Sequence, residues 1–153
     1  LQSRGLGDVY MREDYAGILF SITNVIIDND ILFFKFRIVN YSYIDYVPDF
    51  VRFYIQDSKF RKKTAIQQIE QIPLFFFDYP ERIGAHETKD FTAALNKFTI
   101  PDKKKLVIEM QEREGGRHFL YKLDNKPIIS AEILNPKRKS GIEKMDLPVR
   151  DNP

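Results

Sequence analysis

The sequence predicts an all-β protein, an antiparallel immunoglobulin-like β-sandwich of about seven to eight strands. Three observations predict this class. Apolar and polar residues alternate over segments about seven to ten residues long. Turn signals separate these segments, and none of them has a convincing helical period. Aromatic residues make up 14% of the chain, with 13 Phe, 8 Tyr and no Trp, and aromatic side chains favour strands.

The domain organisation follows from where this alternation begins and ends. We expect a lead-in segment at residues 1–16, a β-sandwich domain at 17–134 and a polar C-terminal tail at 135–153. A chain of 153 residues buries enough surface for a core without metal or disulfide, and the chain has no Cys. Four apolar residues near the start of the tail are expected to be anchored on the domain, for example as an added strand: Ile128, Ile129, Ile133 and Leu134.

The first predicted hairpin joins strands at 17–27 and 31–40 around Asp28-Asn29-Asp30. The first strand is expected to turn one apolar face inward: Ile18, Phe20, Ile22 and Ile26. A three-residue loop aligns the apolar faces of the two strands best. It places Ile22 opposite Phe36 and Phe20 opposite Ile38.

The middle of the chain supplies the next strands. Residues 50–56 alternate, with Val51, Phe53 and Ile55 on one side. Residues 64–72 carry Ile at period three, which suggests a helical turn, but a Gln-rich extended segment with a bulge is the interpretation we favour. Three more strands are predicted, at 74–79 between two prolines, at 88–95, and briefly at 98–100.

The strongest local signal is a hairpin over residues 105–124, with Gly115-Gly116 as a two-residue turn that reaches positive φ. Folding the chain about this pair sets Met110 opposite Tyr121 on the apolar face. The same register sets the following further pairs: Ile108 with Leu123, Glu109 with Lys122, Glu114 with Arg117, and Arg113 with His118. Both faces are then consistent with a half-buried antiparallel pair.

The sequence lacks the patterns that catalytic and cofactor sites require. It has no thiol, no nucleophile elbow and no phosphate loop followed by a helix. His86 and His118 each lack a neighbouring ligand at metal spacing, so we read them as solvated side chains. We therefore predict no catalytic residue, no cofactor and no metal site, and a protein that is not an enzyme.

The best candidate for partner binding is the segment Phe75-Phe76-Phe77-Asp78-Tyr79. Consecutive aromatic residues in a strand point to both faces, so one face needs a cover other than the core. Burial on both sides by the protein itself is the competing interpretation. We predict Phe75, Phe77 and Tyr79 as contact residues, with a charged turn as their rim: Lys59, Arg61, Lys62 and Lys63.

The sequence is compatible with two other functions. The charged turn together with Lys103, Lys104 and Lys105 could contact phosphates of a nucleic acid. The net charge of +2, from 24 basic and 22 acidic residues, argues against a dedicated nucleic-acid binder. Carbohydrate binding is a further alternative, which the absence of Trp weakens.

Several ordered blocks resemble the TraN family of Bacteroides-type conjugative transposons. Asn40-Tyr41-Ser42 leads through Asp45-Tyr46 to the strand at 50–55, and Lys63-Thr64-Ala65-Ile66-Gln67 follows. Two later blocks complete the resemblance: residues 98–104, Phe-Thr-Ile-Pro-Asp-Lys-Lys, and residues 112–118 around Gly115-Gly116. Together they are similar to the family's C-terminal domain, from about residue 17 to residue 123.

The resemblance implies a non-enzymatic part in assembling a conjugative transfer apparatus in the bacterial cell envelope. By fold-level analogy, it suggests comparison with the β-sandwich subunit of the outer-membrane core of type IV secretion systems. The implied partners are other proteins of the apparatus, membrane association is indirect, and homo-oligomers remain open. The chain starts without Met or an apolar leader, so we interpret it as processed or as a piece of a longer protein, and export stays compatible with it.

Overall fold

A computed structural model describes residues 11–57, 67–129 and 131–133. This part of the chain contains ten strands and one helical turn. The strands are β1 (Met11–Tyr15), β2 (Ile18–Asp28), β3 (Ile31–Asn40), β4 (Pro48–Asp57), β5 (Gln68–Glu70), β6 (Phe75–Phe77), β7 (Thr88–Asn96), β8 (Lys104–Glu112), β9 (His118–Leu123) and β10 (Glu132–Ile133). The helical turn is α1 (Lys126–Ile129). It is far shorter than the roughly 20 residues that cross a bilayer, and the described residues contain no membrane-spanning helix.

The strands form two sheets that face each other. One sheet has the order β1-β2-β3-β7-β6, with β10 also paired to β2, and the other has the order β5-β4-β8-β9. The order β2-β3-β7-β6 opposite β4-β8-β9 is that of an immunoglobulin sandwich, with β5 added at one edge. The predicted fold class is confirmed. The predicted number of strands is too low, and β1 in particular lies in the segment predicted as a lead-in.

Aromatic rings from both sheets build the core. Phe36 on β3 lies 4.9 Å from the Phe91 ring within its own sheet and 6.2 Å from the Phe53 ring of the opposite sheet. Phe20 on β2 stacks on Tyr121 of β9 at 5.2 Å. The Tyr121 hydroxyl donates to the Phe20 carbonyl oxygen, so its buried polar group is satisfied across the sandwich.

The first hairpin has the predicted register from Ile18 to Ile22, but the loop that produces it differs from the predicted one. Ile22 pairs with Phe36 and Phe20 with Ile38, as expected. The connecting loop is nevertheless two residues long, since Asp28 pairs with Ile31, and the predicted three-residue loop is wrong. A bulge between Ile22 and Asn24 supplies the extra residue. It also reverses the inward and outward positions beyond it, so that the fully buried residue is Val25 and not the predicted Ile26.

The second hairpin has the predicted faces but not the predicted pairs. Ile108 pairs with Tyr121 and Met110 with Phe119, so every predicted partner is displaced by two residues. Glu109 faces Leu120, and Gln111 faces His118. A shift of two leaves each side chain on its expected face. The register follows from a longer loop, because the Glu112 amide donates to the Arg117 carbonyl oxygen and leaves four residues between them.

The predicted Gly115-Gly116 turn is therefore wrong. The positive φ of this loop lies at Glu114, at 53°, and Gly17 is the glycine with positive φ in the described part of the chain. Glu114 also does not bind Arg117. The Arg117 guanidinium instead forms an ion pair with Glu112, at 2.7 Å between Nη2 and Oε2.

Two further segments test the strand predictions. Gln68–Glu70 is extended and pairs with β4, which agrees with the extended interpretation of this region as far as it is described. The predicted strand at 98–100 is absent, because the Asn125 side chain and not a neighbouring strand binds the Ile100 backbone.

The free edge of β2 is covered from both ends of the chain. β1, which lies inside the segment predicted as a lead-in, pairs with Ile18–Ile22, and β10 pairs in parallel with Ile26 and Ile27. Covering an edge strand removes a template for aggregation. The added strand and the buried Ile128 agree with the anchoring prediction, whereas Ile129 is 72% exposed and the prediction is wrong for it. The Ile133 side chain and Leu134 lie outside the described residues.

Candidate interaction surfaces

The outer face of the first sheet carries an exposed aromatic cluster. Phe75 and Phe77 on β6 are 46% and 47% exposed, and their rings meet edge to face at 4.9 Å. Phe33 on β3 reaches the Phe77 ring at 6.4 Å, across the small side chain of Ala94 on β7. We call Phe33, Phe75, Phe77 and Ala94 the aromatic face. Apolar rings grouped on a solvated sheet surface are typical of a contact site for another protein.

Strand alternation explains why the three consecutive phenylalanines separate. Phe76 points inward and packs on the core, with its ring 6.3 Å from the Phe91 ring. Its two neighbours on β6 point outward for the same geometric reason. The segment thus combines both interpretations of its sequence, with a core residue between two exposed ones.

Tyr79 does not join the aromatic face. Asp78 has φ 56°, which ends the alternation of β6 and turns the next side chain back toward the core. The Tyr79 ring packs on Phe91 at 5.3 Å and on Phe76 at 5.1 Å. Its hydroxyl is buried, and burial raises the pKa of Tyr79 to about 12. Positive φ at an Asp is the kind of signal that a sequence pattern does not reveal.

The predicted rim cannot be placed beside these residues. Lys59, Arg61, Lys62 and Lys63 lie outside the described residues. Their role as a rim stays a prediction from the sequence.

A second surface, which the sequence analysis treated only as a polar connection, lies between β3 and β4. Residues 41–45 form a loop that three buried or half-buried groups hold in place, and we call it the braced loop. Fully buried Asn40 donates from Nδ2 to the Ile44 carbonyl oxygen at 2.9 Å. Asn40 Oδ1 accepts from the Ser42 amide at 2.9 Å and from the Ser42 hydroxyl at 2.7 Å. This pattern satisfies the Ser42 amide and the Ile44 carbonyl oxygen without a strand partner.

Arg117 braces the loop from the second sheet. Its guanidinium donates to the Asp45 carbonyl oxygen at 2.8 Å and to the Ser42 hydroxyl at 3.2 Å. The same group lies 5.2 Å from the centre of the Tyr46 ring and is held by Glu112 through two charged hydrogen bonds. Arg117 and Glu112 are each only 11% exposed in their side chains. The hydrogen bonds of Arg117 hold the pKa of Glu112 below its usual value.

The loop that is fixed in this way displays large side chains to solvent. Tyr41 is 57% exposed, Tyr43 85% and Ile44 70%. The Tyr43 ring meets His86 edge to face at 4.6 Å. Rigid aromatic residues on a preorganised loop lose little conformational entropy on binding, so they are effective contact residues.

The braced loop also unites two of the blocks that carry the family resemblance. Asn40-Tyr41-Ser42 and Asp45-Tyr46 form the loop, and Glu112 and Arg117 come from a block about 70 residues later. The sequence did not predict this contact, because Glu112 and Arg117 lie about 70 residues from Tyr41 and Tyr43 along the chain and only the fold brings them together.

Neither histidine lies in a cluster of metal ligands. His118 Nε2 lies 3.3 Å from Glu109 Oε2 on the polar face of the second sheet, and His86 contacts Tyr43. Within residues 11–57, 67–129 and 131–133, no group of three or more His, Cys, Asp or Glu side chains is arranged to hold a metal ion.

Comparison with known families finds a match over most of the chain. The family described as Domain of unknown function (DUF4138) matches residues 8–133. The match covers both sheets, from β1 to β10. No curated protein matches the chain.

Proposed function

Because the chain belongs to the DUF4138 family of domains of unknown function, we propose a function for it from its surfaces and its sequence blocks. We propose that it is a non-enzymatic structural and interaction component of a bacterial conjugative transfer apparatus. In this proposal it acts in the cell envelope, through contacts with other proteins of that apparatus.

The observation that carries the proposal is the exposed aromatic face. Phe75 and Phe77 are half exposed on an edge strand of only three residues. Burying the exposed half of each ring against a partner contributes about 0.7–1.5 kcal/mol per side chain in transfer free energy, about half of the value for a fully exposed ring. The braced loop offers a second rigid contact surface on the same domain. Both features support a binding domain built on a sandwich scaffold.

The conjugative setting is supported by the sequence resemblance alone. The blocks at residues 40–55, 98–104 and 112–118 resemble the TraN family in order and spacing. The structure adds that the first and third of these blocks meet at the braced loop. A setting in the transfer apparatus explains why a binding domain would carry several separate contact surfaces.

The test is replacement of the outward rings, Phe75→Ser together with Phe77→Ser. We expect conjugative transfer by a donor strain with this variant to fall by about tenfold or more, since the contact loses two buried rings. Site-specific photocrosslinking at position 75 in mating-competent cells should give defined adducts with apparatus proteins, identified by mass spectrometry. The melting temperature should stay near that of the wild type, because both rings are at the surface.

Leu120→Ser is the matched control. Leu120 is a 39% exposed apolar side chain on β9, in the other sheet. We expect this variant to transfer as well as the wild type. Equal transfer by the double variant and the wild type would overturn the proposal. A large drop in the melting temperature of the double variant would assign the two rings to the fold instead.

A further inference from the structure

A basic pocket lies at the end of the sandwich, between α1 and the turn that precedes β8. It has a volume of about 540 Å³. Pro101 and Asp102 line one side, and Asn125 and Ile129 line the other. Four of the ten residues that line it are lysines: Lys103, Lys104, Lys105 and Lys126. Its volume is within the usual range for pockets that bind ligands in proteins.

The walls of the basic pocket are fixed to each other. Asn125 Nδ2 donates to the Ile100 carbonyl oxygen at 2.9 Å, and Asn125 Oδ1 accepts from the Ile100 amide at 2.7 Å. Ile128, next along α1, is buried in the core. The pocket therefore has its shape before any ligand arrives, and binding requires little ordering.

The lining combines positive charge with an apolar rim. Its lysines outnumber its two aspartates, Asp102 and Asp124. Lys104 Nζ is held by Asp57 at 2.7 Å, whereas the contact of Lys105 Nζ with Asp124 is long, at 3.9 Å. Ile129 is 72% exposed at the rim. A ligand that complements these walls carries carboxylates beside an apolar group.

The backbone of Lys103 has a conformation that usually favours a different residue type. The Lys104 amide donates to the Pro101 carbonyl oxygen at 3.1 Å and closes a four-residue turn. Lys103 is the third residue of this turn and has φ 66°. Turns with positive φ at the third position favour Gly or Asn there. Lys103 is one of six non-glycine residues with positive φ in the described part of the chain, and its place in the turn puts it in the pocket lining.

We propose that the basic pocket binds an acidic segment of a partner protein that carries an apolar side chain. The carboxylates of the segment contact the lysines, and its apolar side chain lies on Ile129 and Pro101. None of the ten lining residues is aromatic, so the stacking platform that single-stranded nucleic acid uses is missing from this surface. The inference rests on the proposed function, since it names the chemistry of one partner, and it concerns a surface separate from the aromatic face.

The test uses the full chain and a fluorescein-labelled peptide of ten Glu and Leu residues in alternation. We expect saturable binding by fluorescence anisotropy at about 20 mM salt, weakening as salt rises. Lys103→Glu with Lys126→Glu should weaken binding by about tenfold or more. Ile129→Ser should weaken it roughly threefold. Lys103→Gly should weaken binding while the melting temperature stays equal or rises, which a purely structural role of Lys103 does not predict.

The matched control is Lys35→Glu with Lys89→Glu, which makes the same change of net charge at exposed positions on β3 and β7, strands that contribute no residue to the pocket lining. It should bind the peptide nearly as well as the wild type. Four results would overturn the proposal: no binding at low salt, equal loss in the control, equal binding of a Glu and Ser peptide, or tighter binding of single-stranded DNA of equal charge. Phe75→Ser with Phe77→Ser should leave peptide affinity unchanged, so failure of this proposal and failure of the proposed function are distinguishable.

Discussion

Single residues in the β8–β9 loop decide whether the braced loop keeps its shape. A Cβ added at Gly115 would lie 2.8 Å from Cγ of Glu112 and nearer still to its carboxylate. That carboxylate is tied to Arg117, so it cannot swing away without breaking charged hydrogen bonds. A Cβ at Gly116 would meet nothing within 4 Å. The two neighbouring glycines therefore differ in function within the loop.

We predict that Gly115→Ala lowers the free energy of unfolding by about 1–2 kcal/mol, because it displaces Glu112 and weakens the hold on Arg117. Gly116→Ala should change it by no more than about 0.5 kcal/mol. Urea unfolding of both variants measures the difference. Equal values for the two would mean that Glu112 relocates freely and that the ion pair does not brace the loop.

The same ion pair gives the protein a pH dependence. The pKa of Glu112 in the folded state lies below the usual 4.5, mainly because the Arg117 side chain donates a hydrogen bond to its carboxylate. A lowered folded pKa contributes stability that is fully present above the unfolded pKa and is lost as pH falls through the folded one. We predict that wild-type stability declines below about pH 4.5 and that Glu112→Gln removes part of this decline. Urea unfolding at a series of pH values from about 7 to about 3 measures this dependence of stability on pH.

Glu70→Gln is the control for this effect. The pKa of Glu70 is also lowered, first by the hydrogen bond from Arg52, but this pair is exposed to solvent, with Glu70 43% exposed. Solvent screens exposed pairs, so Glu70→Gln should remove a smaller part of the acid-dependent loss. A larger effect at Glu70 than at Glu112 would contradict the assignment of the pH dependence to the Arg117 pair.

At the scale of strands, the alternation of apolar residues was sufficient to predict faces but not loop geometry. The sequence placed Phe20, Phe36 and Phe53 in the core, and they are buried there. In the first hairpin the register was correct from Ile18 to Ile22 and wrong by one residue between the bulge at Thr23 and the two-residue turn, which together replaced the predicted three-residue loop. Both solutions offset the strands by one residue, and the apolar pattern cannot distinguish them.

The register predicted for the second hairpin was wrong because a tertiary contact, and not the local sequence, sets it. A two-residue Gly-Gly turn and a four-residue loop place the same side chains on the same faces, since they differ by two residues. The choice between them is made by Glu112 and Arg117, which bind each other and, through Arg117, the distant braced loop. Local sequence favoured the glycines, and a contact about 70 residues away in sequence decided otherwise.

The candidate sites show the same limit. Strand alternation predicted that Phe75 and Phe77 share the face opposite to Phe76, but not whether that face is exposed, since burial on both sides was the competing interpretation. Tyr79 was predicted on the same face and is not there, since a positive φ at Asp78 redirects it. The braced loop needed the fold, because its supports come from two segments of the chain about 70 residues apart.

At the scale of the whole molecule, the two faces of β3 have different tasks. Phe36 faces inward and is 1% exposed, in contact with rings from both sheets. Phe33, on the same strand, faces outward on the aromatic face. The sandwich depends on the first ring to join its layers, whereas the second is available for a partner.

Replacement of these two rings by alanine separates stability from binding. We predict that Phe36→Ala lowers the free energy of unfolding by about 3–5 kcal/mol, because it leaves a cavity where the two sheets meet. Phe33→Ala should cost less, about 1–2 kcal/mol, since its ring is only partly buried. Denaturant midpoints give both values. Domains of this kind have only about 5–15 kcal/mol of stability, so the Phe36 variant should be near the limit of folding while the Phe33 variant stays fully folded. A comparable loss in the two variants would mean that the outer face of the sheet is part of the fold's support and not a surface held for binding.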